Sequence, residues 1–467
     1  MSYGRRVIYT DATEITPENV VEEVRKARLV HDRNRAEIQK LVNYYRGKTA
    51  ILGKKKEVRE TINHKINENR AYEIVSFHKG YTFGEPIQYV RREKSADNTN
   101  DDVLAGDVNS LNGYMSDASK AKRDEELAEW IYVAGVGYRL TLPNDKWIAD
   151  GDEAPFEITT LDPRNTFIIY NNGVKKRKLA SVCCVQRENN ERIYSGYTDT
   201  FYFEFSEHGE LTTRPLFLGM NPIIEYPADN SRLGVFEIAL PLLDALNELQ
   251  SNRMDDIVQY VNSFLAILGG ELNEETYKKL EEWKTLCLPE GTDAKYVSTP
   301  MSQADIQTLK DDLYQSILTI CGVPNRNGGS STSDTGSAVI MRDGWQAAEA
   351  RAKDTETTFK CSEKEFTKLV LRILRDTVGT KLRLSDIEPH FTRRNYENIA
   401  SKSQVLIAML NSPKIHPELA FSHCGMFADP ESAYLQSKAY YDEQMAKWEP
   451  TEVDENDEDD NDDVPTS

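Results

Sequence analysis

The sequence predicts an α+β chain, mainly helical, and three observations carry that prediction. Apolar residues recur at helical spacing through several long stretches, above all Ser302 to Val378, which reads as a helix, a polar loop and a longer helix. Between Gly137 and Tyr226, short runs rich in β-branched and aromatic residues, separated by turn residues, read as a mostly antiparallel sheet. Residues 264 to 300 form a small α+β module set between two long helical stretches.

In chain order, residues 1 to about 20 are irregular, and Pro17 to Tyr45 is helical through Val20, Val24, Ala27, Leu29, Ile38, Leu41, Val42 and Tyr45. Asn63 to Phe83 reads as a second helix closed by Gly84 and Pro86, followed by a strand from Ile87 to Arg91. Lys94 to Asp107 is polar and acidic, a connector. Leu111 to Gly135 reads as one helix with KAKRDEELAEW on its exposed side. Strands are expected at Gly137–Leu142, Phe156–Leu161, Thr166–Tyr170, Leu179–Gln186, Arg192–Thr198 and Thr200–Phe205, with hairpin turns at Asn171-Asn172-Gly173 and His208-Gly209.

Gly234 to about Val261 is a long helix in which Ile238, Leu242, Leu246, Leu249, Arg253, Ile257 and Tyr260 share a face. The module after it has a strand at Phe264–Leu268, a helix in NEETYKKLEEWK and a hairpin joining Leu286–Leu288 to Ala294–Val297. The next helix opens at Ser302 with Asp305 three residues on, a capping-box-like start, and Pro324 ends it. Its apolar face is Ile306, Leu309, Leu313, Ile317 and Ile320. The loop Asn325 to Ser337 is rich in Gly, Ser and Thr. The last long helix is expected from Gly336 to Gly379, with a seam at Met341, Trp345, Ala348, Ala352, Thr355, Phe359, Ser362, Phe366, Leu369 and Ile373. A helix of that length reaches about 60 Å. Lys381 to Thr392 reads as a strand region, then helices follow, with Gln404–Leu410 and Glu431–Trp448 the clearest.

The 467 residues carry a formal charge of −20. Nine acidic residues and no basic one lie in Thr451–Asp463, an acidic tail expected to be disordered, and the rest of the chain is still acidic. This balance opposes wrapping nucleic acid by phosphate neutralisation. No apolar run reaches membrane-spanning length, and the N-terminus lacks the apolar stretch of a signal peptide. Six scattered cysteines without CxxC spacing read as free thiols.

Chemistry is sparse. There is no GxxxxGK[ST] loop, HExxH, GxSxG or EF-hand spacing. His416, His423 and Cys424 read as packed or surface side chains rather than a metal site, and Asp255-Asp256 and Asp311-Asp312 as solvated helix faces. The basic spots at Arg393-Arg394 and Lys175–Lys178 read as surface features. No catalytic residue, metal site or cofactor is expected.

Taken in order, several segments together resemble the portal proteins of tailed bacteriophages, siphophage type with Gram-positive hosts: NHKINENRAYEIVSFHKGYTFGEPI, WIYVAGVGYRLTLPND, ITTLDPRNTFIIYNN, GVFEIALPLLDALNELQSNRMDDIVQYVNSFLAILGG, ICGVPNRNGGSSTSDTGSAVIMR, FTRRNYENIASKSQVL and ADPESAY. The resemblance spans about Glu18 to Lys447 and lies in the succession, not in any one motif. It implies a ring, usually of twelve subunits, at one capsid vertex. Residues 1–232 and 337–395 then make the wing, 233–262 and 302–323 the stem, 263–301 the clip, 324–336 the tunnel loop, 396–450 the crown and 451–467 the acidic tail. Asn325, Arg326, Asn327, Gly328, Gly329, Ser330, Ser331 and Thr332 are expected to face DNA, and Phe264, Leu265, Ile267 and Trp283 to pack in or between clips. The implied partners are double-stranded DNA passing without tight binding, the terminase large subunit, a head-tail adaptor, and major capsid and scaffolding proteins, with no membrane. The implied locations are the virion and, during assembly, the host cytoplasm. The competing expectation is a capsid-associated scaffold or adaptor without a DNA channel.

Overall fold

The computed structural model describes residues 4–57, 60–92, 101–148, 151, 153–187, 191–207, 210–261, 264–268, 293–297, 303–325, 344–393, 399–427 and 430–447. The chain divides into two units, Met1–Arg393 and Arg394–Ser467.

The larger unit begins with β1 (Ile8–Thr10) and α1 (Val20–Tyr45), then a short 3-10 turn at Ala50–Gly53, α2 (Arg70–Phe83) and β2 (Gln88–Arg91). Next come α3 (Asp101–Asp117), α4 (Lys120–Ala134), β3 (Val136–Pro143), β4 (Phe156–Leu161), β5 (Thr166–Asn171), β6 (Lys178–Gln186), β7 (Arg192–Tyr197), β8 (Phe201–Ser206), β9 (Thr212–Pro215) and β10 (Ile223–Pro227). The long helix α5 (Leu240–Val261) leads to β11 (Phe264–Leu268) and β12 (Asp293–Val297), then α6 (Gln303–Cys321), α7 (Trp345–Thr377) and β13 (Ile387–His390).

One sheet runs β1-β5-β6-β7-β8-β9, antiparallel except where β1 pairs parallel with β5. Alternation splits its residues between two cores: Phe167 and Ile169 pack with Val20, Val24, Val182, Tyr194 and Phe203, while Ile168 faces Val136, Tyr138 and Ile223. A second sheet orders β10-β3-β4, and β13 pairs with β2. The main core collects the second half of α1 with α2, α3, α4, α5, α6 and α7. The seam expected along α7 is buried at Ala348, Ala352, Phe359, Ser362, Phe366, Leu369 and Ile373.

Under this core lies a dry ion cluster. Arg139 and Glu363 have no exposed surface, and Lys120 and Asp124 have almost none. Arg139 Nη1 donates to Glu363 at 3.2 Å and to the Tyr226 hydroxyl at 3.1 Å, and Nη2 pairs with Asp124. Lys120 Nζ sits 2.6 Å from Asp124 and 2.8 Å from Glu363, and the Tyr89 and Tyr226 hydroxyls donate to Glu363 at 2.6 and 2.8 Å. Two cations balance two anions, and α4, β2, β3, β10 and α7 meet there. Burial pushes the Glu363 carboxyl up, but Lys120 and Arg139 outweigh it and hold the group below the usual carboxylate range.

Several sequence expectations change. Residues 63–69 are not helical, and α2 begins after Asn69, which adopts φ 41°. Residues 101–107, read as connector, belong to α3. The single helix expected over Leu111–Gly135 is broken at Ser119, with φ 53°. Lys120 and Asp124, expected on its exposed side, are core residues. The helix expected from Gly234 starts at Leu240, because Gly234–Ala239 is taken up by i→i−3 turns and by Glu237, which accepts from the backbone of Gly4 and Gly234 and pairs with Arg5. In α5 the expected face is displaced: Ile238 and Ile257 are exposed, while Leu243, Leu246, Asn247, Ser251 and Asp255 are buried. In α6, Leu309 and Ile320 are exposed as well, and so is Leu29 of α1. The long helix α7 starts at Trp345, since Gly344 adopts φ 83°, and the expected start near Gly336 lies outside the described residues. Met341, the NEETYKKLEEWK helix and Leu286–Leu288 lie outside the described residues.

The smaller unit has α8 (Ile399–Leu410), α9 (Pro417–Cys424) and α10 (Pro430–Ala446). Phe421 stacks on Phe427 and tilts against Tyr434, and His416 caps α9 by accepting from the Glu418 backbone at 3.3 Å. The tail 451–467 lies outside the described residues.

Candidate functional site

The functional candidate is a two-helix shaft, α5 with α6. The helices run antiparallel. Arg253 donates to Gln303 and Gln307, while one turn back Gln250 meets Glu68, which also holds Lys310 at 2.9 Å. Leu243 and Leu246 of α5 and Ile317, Leu318 and Cys321 of α6 are buried in the main core. Between the far ends of the two helices comes a two-stranded antiparallel ladder, with Phe264 opposite Val297, Leu265 opposite Tyr296 and Ile267 opposite Ala294.

The shaft is fastened along its length by residues 63–69. Asn247, Ser251 and Asp255 recur every four residues on α5, about 6 Å apart. Residues 64, 66 and 68 recur every second residue, about 6.6 Å apart in extended chain. The two periods match. The backbone N–H of Glu68 donates to Asn247 Oδ1 at 3.0 Å, that of Ile66 to Ser251 Oγ at 2.9 Å and that of His64 to Asp255 Oδ1 at 2.7 Å. Each of these donors is lost to a helix, which is why the segment departs from the helix its sequence suggests.

Asp255 closes this ladder. It has no exposed surface, so the reading of Asp255-Asp256 as a solvated face fails for its first member. Lys56 Nζ lies 2.6 Å and Lys54 Nζ 3.0 Å from Oδ2, and His64 Nδ1 donates to Oδ1 at 2.8 Å. Burial pushes the carboxyl up, but the His64 N–H, Lys56, the His64 ring and Lys54 together hold it well below the usual range. Nothing in the local sequence separates Asp255 from Asp256. The available signal was the Asn-x-x-x-Ser-x-x-x-Asp spacing on a helix that has another apolar face.

The other end of the shaft is a closed mouth. Gly322 adopts φ 68°, and Val323 N–H bonds Leu318 O at 2.9 Å while Gly322 N–H bonds Thr319 O at 3.2 Å, a Schellman stop that ends α6 before Pro324. Two further donors take the last carbonyls: His78 Nε2 lies 2.8 Å from Cys321 O, and Arg351 Nη2 donates to Ile320 O at 2.5 Å. Arg351 also places a cation at the negative end of the helix. Burial lowers the His78 pKa to about 4, so its ring is neutral at pH 7, and burial pushes the Cys321 thiol up to about 12. The chain leaves the described residues after Asn325 and re-enters at Gly344, where a β-carbon would lie 3.9 Å from the Pro324 Cα. Whatever path 326–343 takes, it starts and finishes at one point.

Of the expected DNA-facing residues, Asn325 lies at this mouth, and Arg326, Asn327, Gly328, Gly329, Ser330, Ser331 and Thr332 lie outside the described residues. Of the expected clip residues, Phe264, Leu265 and Ile267 are described as ladder backbone only, and Trp283 lies outside. Arg393 pairs with Glu349 at 3.0 Å and with Glu356, which commits it to α7. Lys178 is committed to Glu365 and the Ile223 carbonyl. Among the described residues no group of three or more His, Cys, Asp or Glu side chains is placed to hold a metal ion, and no helix is long and apolar enough to cross a membrane.

The family described as "Phage portal protein, SPP1 Gp6-like" matches residues 28–460. No curated protein matches the sequence. Solved structures similar to the chain include the "Neck of empty GTA particle computed with C6 symmetry", at 13% identity and TM-score 0.44, covering 76% of this chain and 90% of that one. The "Virion of native gene transfer agent (GTA) particle" gives 13% identity and TM-score 0.43, covering 76% and 89%.

Proposed function

From the premise that the chain belongs to the phage portal family, SPP1 Gp6-like, we propose that it assembles the ring through which a tailed phage of the siphophage type loads and ejects its genome. In this reading α5 and α6 are the stem and the module bearing β11 and β12 is the clip. The segment that leaves and returns at the Pro324–Gly344 mouth carries the tunnel loop, 324–336. Residues 1–232 and 337–395 are the wing, 396–450 the crown and 451–467 an acidic tail. The observation that carries the reading is the shaft itself: two antiparallel helices with a strand ladder between their ends on one side and a closed mouth on the other.

The chemistry fits a conduit. A chain at −20 repels phosphate, so DNA passes without being gripped. The ring does no catalysis, and a terminase docked at the clip supplies the work. A head-tail adaptor takes that place after packaging, and major capsid and scaffolding proteins surround the wing. Assembly takes place in the host cytoplasm and the ring ends at the capsid vertex. Negative-stain images of the purified chain are expected to show closed rings with an axial pore, usually of twelve subunits. Oligomers without a pore overturn the conduit in favour of a scaffold or adaptor. The Gly328→Pro, Gly329→Pro double variant is expected to form normal rings and package DNA poorly, because proline fixes φ and removes a backbone donor. Wild-type packaging by that variant overturns a moving tunnel loop.

A further inference from the structure

The surface facing away from the shaft's own contacts is not uniform in charge. On α6, Asp305, Leu309, Asp312, Ser316 and Ile320 fall on one stripe, opposite the buried side formed by Ile317, Leu318 and Cys321. Every residue of the stripe is exposed, including Leu309 at 49% and Ile320 at 39%. It is an acidic and apolar strip about 22 Å long.

A second surface has the opposite sign. The chain around the 3-10 turn holds Arg46, Lys48, Lys55 and Lys65, all exposed, in a protein of net charge −20. None of the four pairs with a carboxylate among the described residues. Leu52, whose carbonyl accepts from Lys65 Nζ at 3.0 Å, is 46% exposed. This basic and apolar patch is fixed to α5 through Lys54, which donates to Asn252 and Asp255. Arg253, which reaches α6, projects from α5 roughly 130° away from Asn252 and Asp255. The basic patch and the acidic stripe therefore sit on different flanks of one shaft.

We propose that the two surfaces are the halves of one head-to-tail seam: the basic patch of one copy, with Leu52 exposed in it, seats on the α6 stripe of the next, where Asp305 and Asp312 flank Leu309. The match is of two kinds at once, apolar to apolar and cationic to anionic. Different patches on different flanks make a heterologous contact, which closes into a ring when the rotation per copy divides the circle. Nucleic acid is the less favoured occupant of the basic patch, since only the seam also accounts for the exposed leucine and for the acidic stripe across the shaft. The seam rests on the ring reading and names the contact that reading requires.

The test is a charge exchange in the full-length chain, read by sedimentation velocity and negative stain. Arg46→Glu with Lys48→Glu and Lys55→Glu is one variant, and Asp305→Lys with Asp312→Lys is the other. Each alone is expected to lower the fraction assembled at least fivefold, with the monomer's melting temperature held near wild type. A mixture of the two carries like charges across every seam between copies of one variant and opposite charges between copies of different variants. The mixture and the chain bearing both sets are expected to recover assembly to within twofold of wild type. Wild-type rings with unaffected variants, or variants that fail without recovery in either arrangement, overturn the seam and leave the ring reading standing. Absence of rings from the wild type itself overturns both. Variants that assemble normally but lose a DNA mobility shift seen with wild type assign the patch to nucleic acid and overturn the seam.

Discussion

Glu363 and Asp255 invite comparison. Each is a carboxylate without exposed surface on a long helix, and each is held by two cations and further donors. They differ in what surrounds the partners. The side chains of Lys120 and Arg139 are 3% and 0% exposed, whereas those of Lys54, Lys56 and His64 are 14%, 25% and 38% exposed. When the first cluster opens, its charges have only protein to turn to, so it opens with the fold. When the second opens, water reaches both lysines at once, so it can yield locally. The main core is locked and the shaft is fastened. Loosening the shaft costs less than opening the core, because breaking a solvent-accessible pair costs less than stranding a charge in a dry core.

The sharpest way to break the comparison is Glu363→Gln. It strands Lys120 and Arg139 with one anion between them, and the expected loss is about 4 kcal/mol of global stability, measured by chemical denaturation. Replacing the whole tetrad by apolar residues of similar volume is expected to cost less than the single change, and the reverse order contradicts the dry-cluster account.

Acid titration ranks next and samples both regions. Burial lowers the pKa of His31, stacked on Phe167 beside the first sheet, to about 4, and that of His78, at the shaft mouth, also to about 4. Both folded values lie below the ordinary 6.5, so the unfolded chain binds more protons below that pH. Stability is complete above pH 6.5 and falls between 6.5 and 4 by about 1.4 kcal/mol per pH unit for each histidine. His31→Gln and His78→Gln are each expected to flatten half of that slope in a melting series, and an unchanged slope removes the histidine from the account.

Asp255→Asn is expected to cost about 2 kcal/mol, from one charge-assisted bond to each lysine weakened and little else disturbed. Its signature is local: hydrogen exchange of residues 63–69 and of the second half of α5 accelerates while α4 and the middle of α7 stay protected. Uniform acceleration across both regions dissolves the distinction between locked and fastened. The smallest effect is expected from Gly322→Ala, about 1–2 kcal/mol. There, φ is 68° and a β-carbon would meet Arg351 Cδ at 2.4 Å. A neutral result in a melting assay means that the α6 stop is held by His78 and Arg351 alone.

The order of helices and strands was legible in the sequence, and so was the family resemblance. Apolar period and turn chemistry are local properties, and the α7 seam from Ala348 to Ile373 follows them at every expected position but Thr355, which is half-buried. The two long helices flanking the small module were legible as helices, but the faces read from period alone included Leu29, Ile238, Ile257, Leu309 and Ile320, which the fold leaves exposed. Hydrophobicity says that a side chain is suited to burial and cannot say that a partner arrives there.

What only the tertiary structure decided are the polar residues that found burial through distant partners. Lys120 and Asp124 sit in a charged run that any local reading places in water, and they are buried because Glu363, more than two hundred residues on, supplies the second anion. Residues 63–69 resemble a helix start and stay out of the helix because Asn247, Ser251 and Asp255 take the amides of Glu68, Ile66 and His64. Apolar pattern, turns and total charge are written residue by residue, so the sequence alone determined the elements and their order. The pairing of charge with charge across the fold is a property of distance, and distance exists only once the chain has folded.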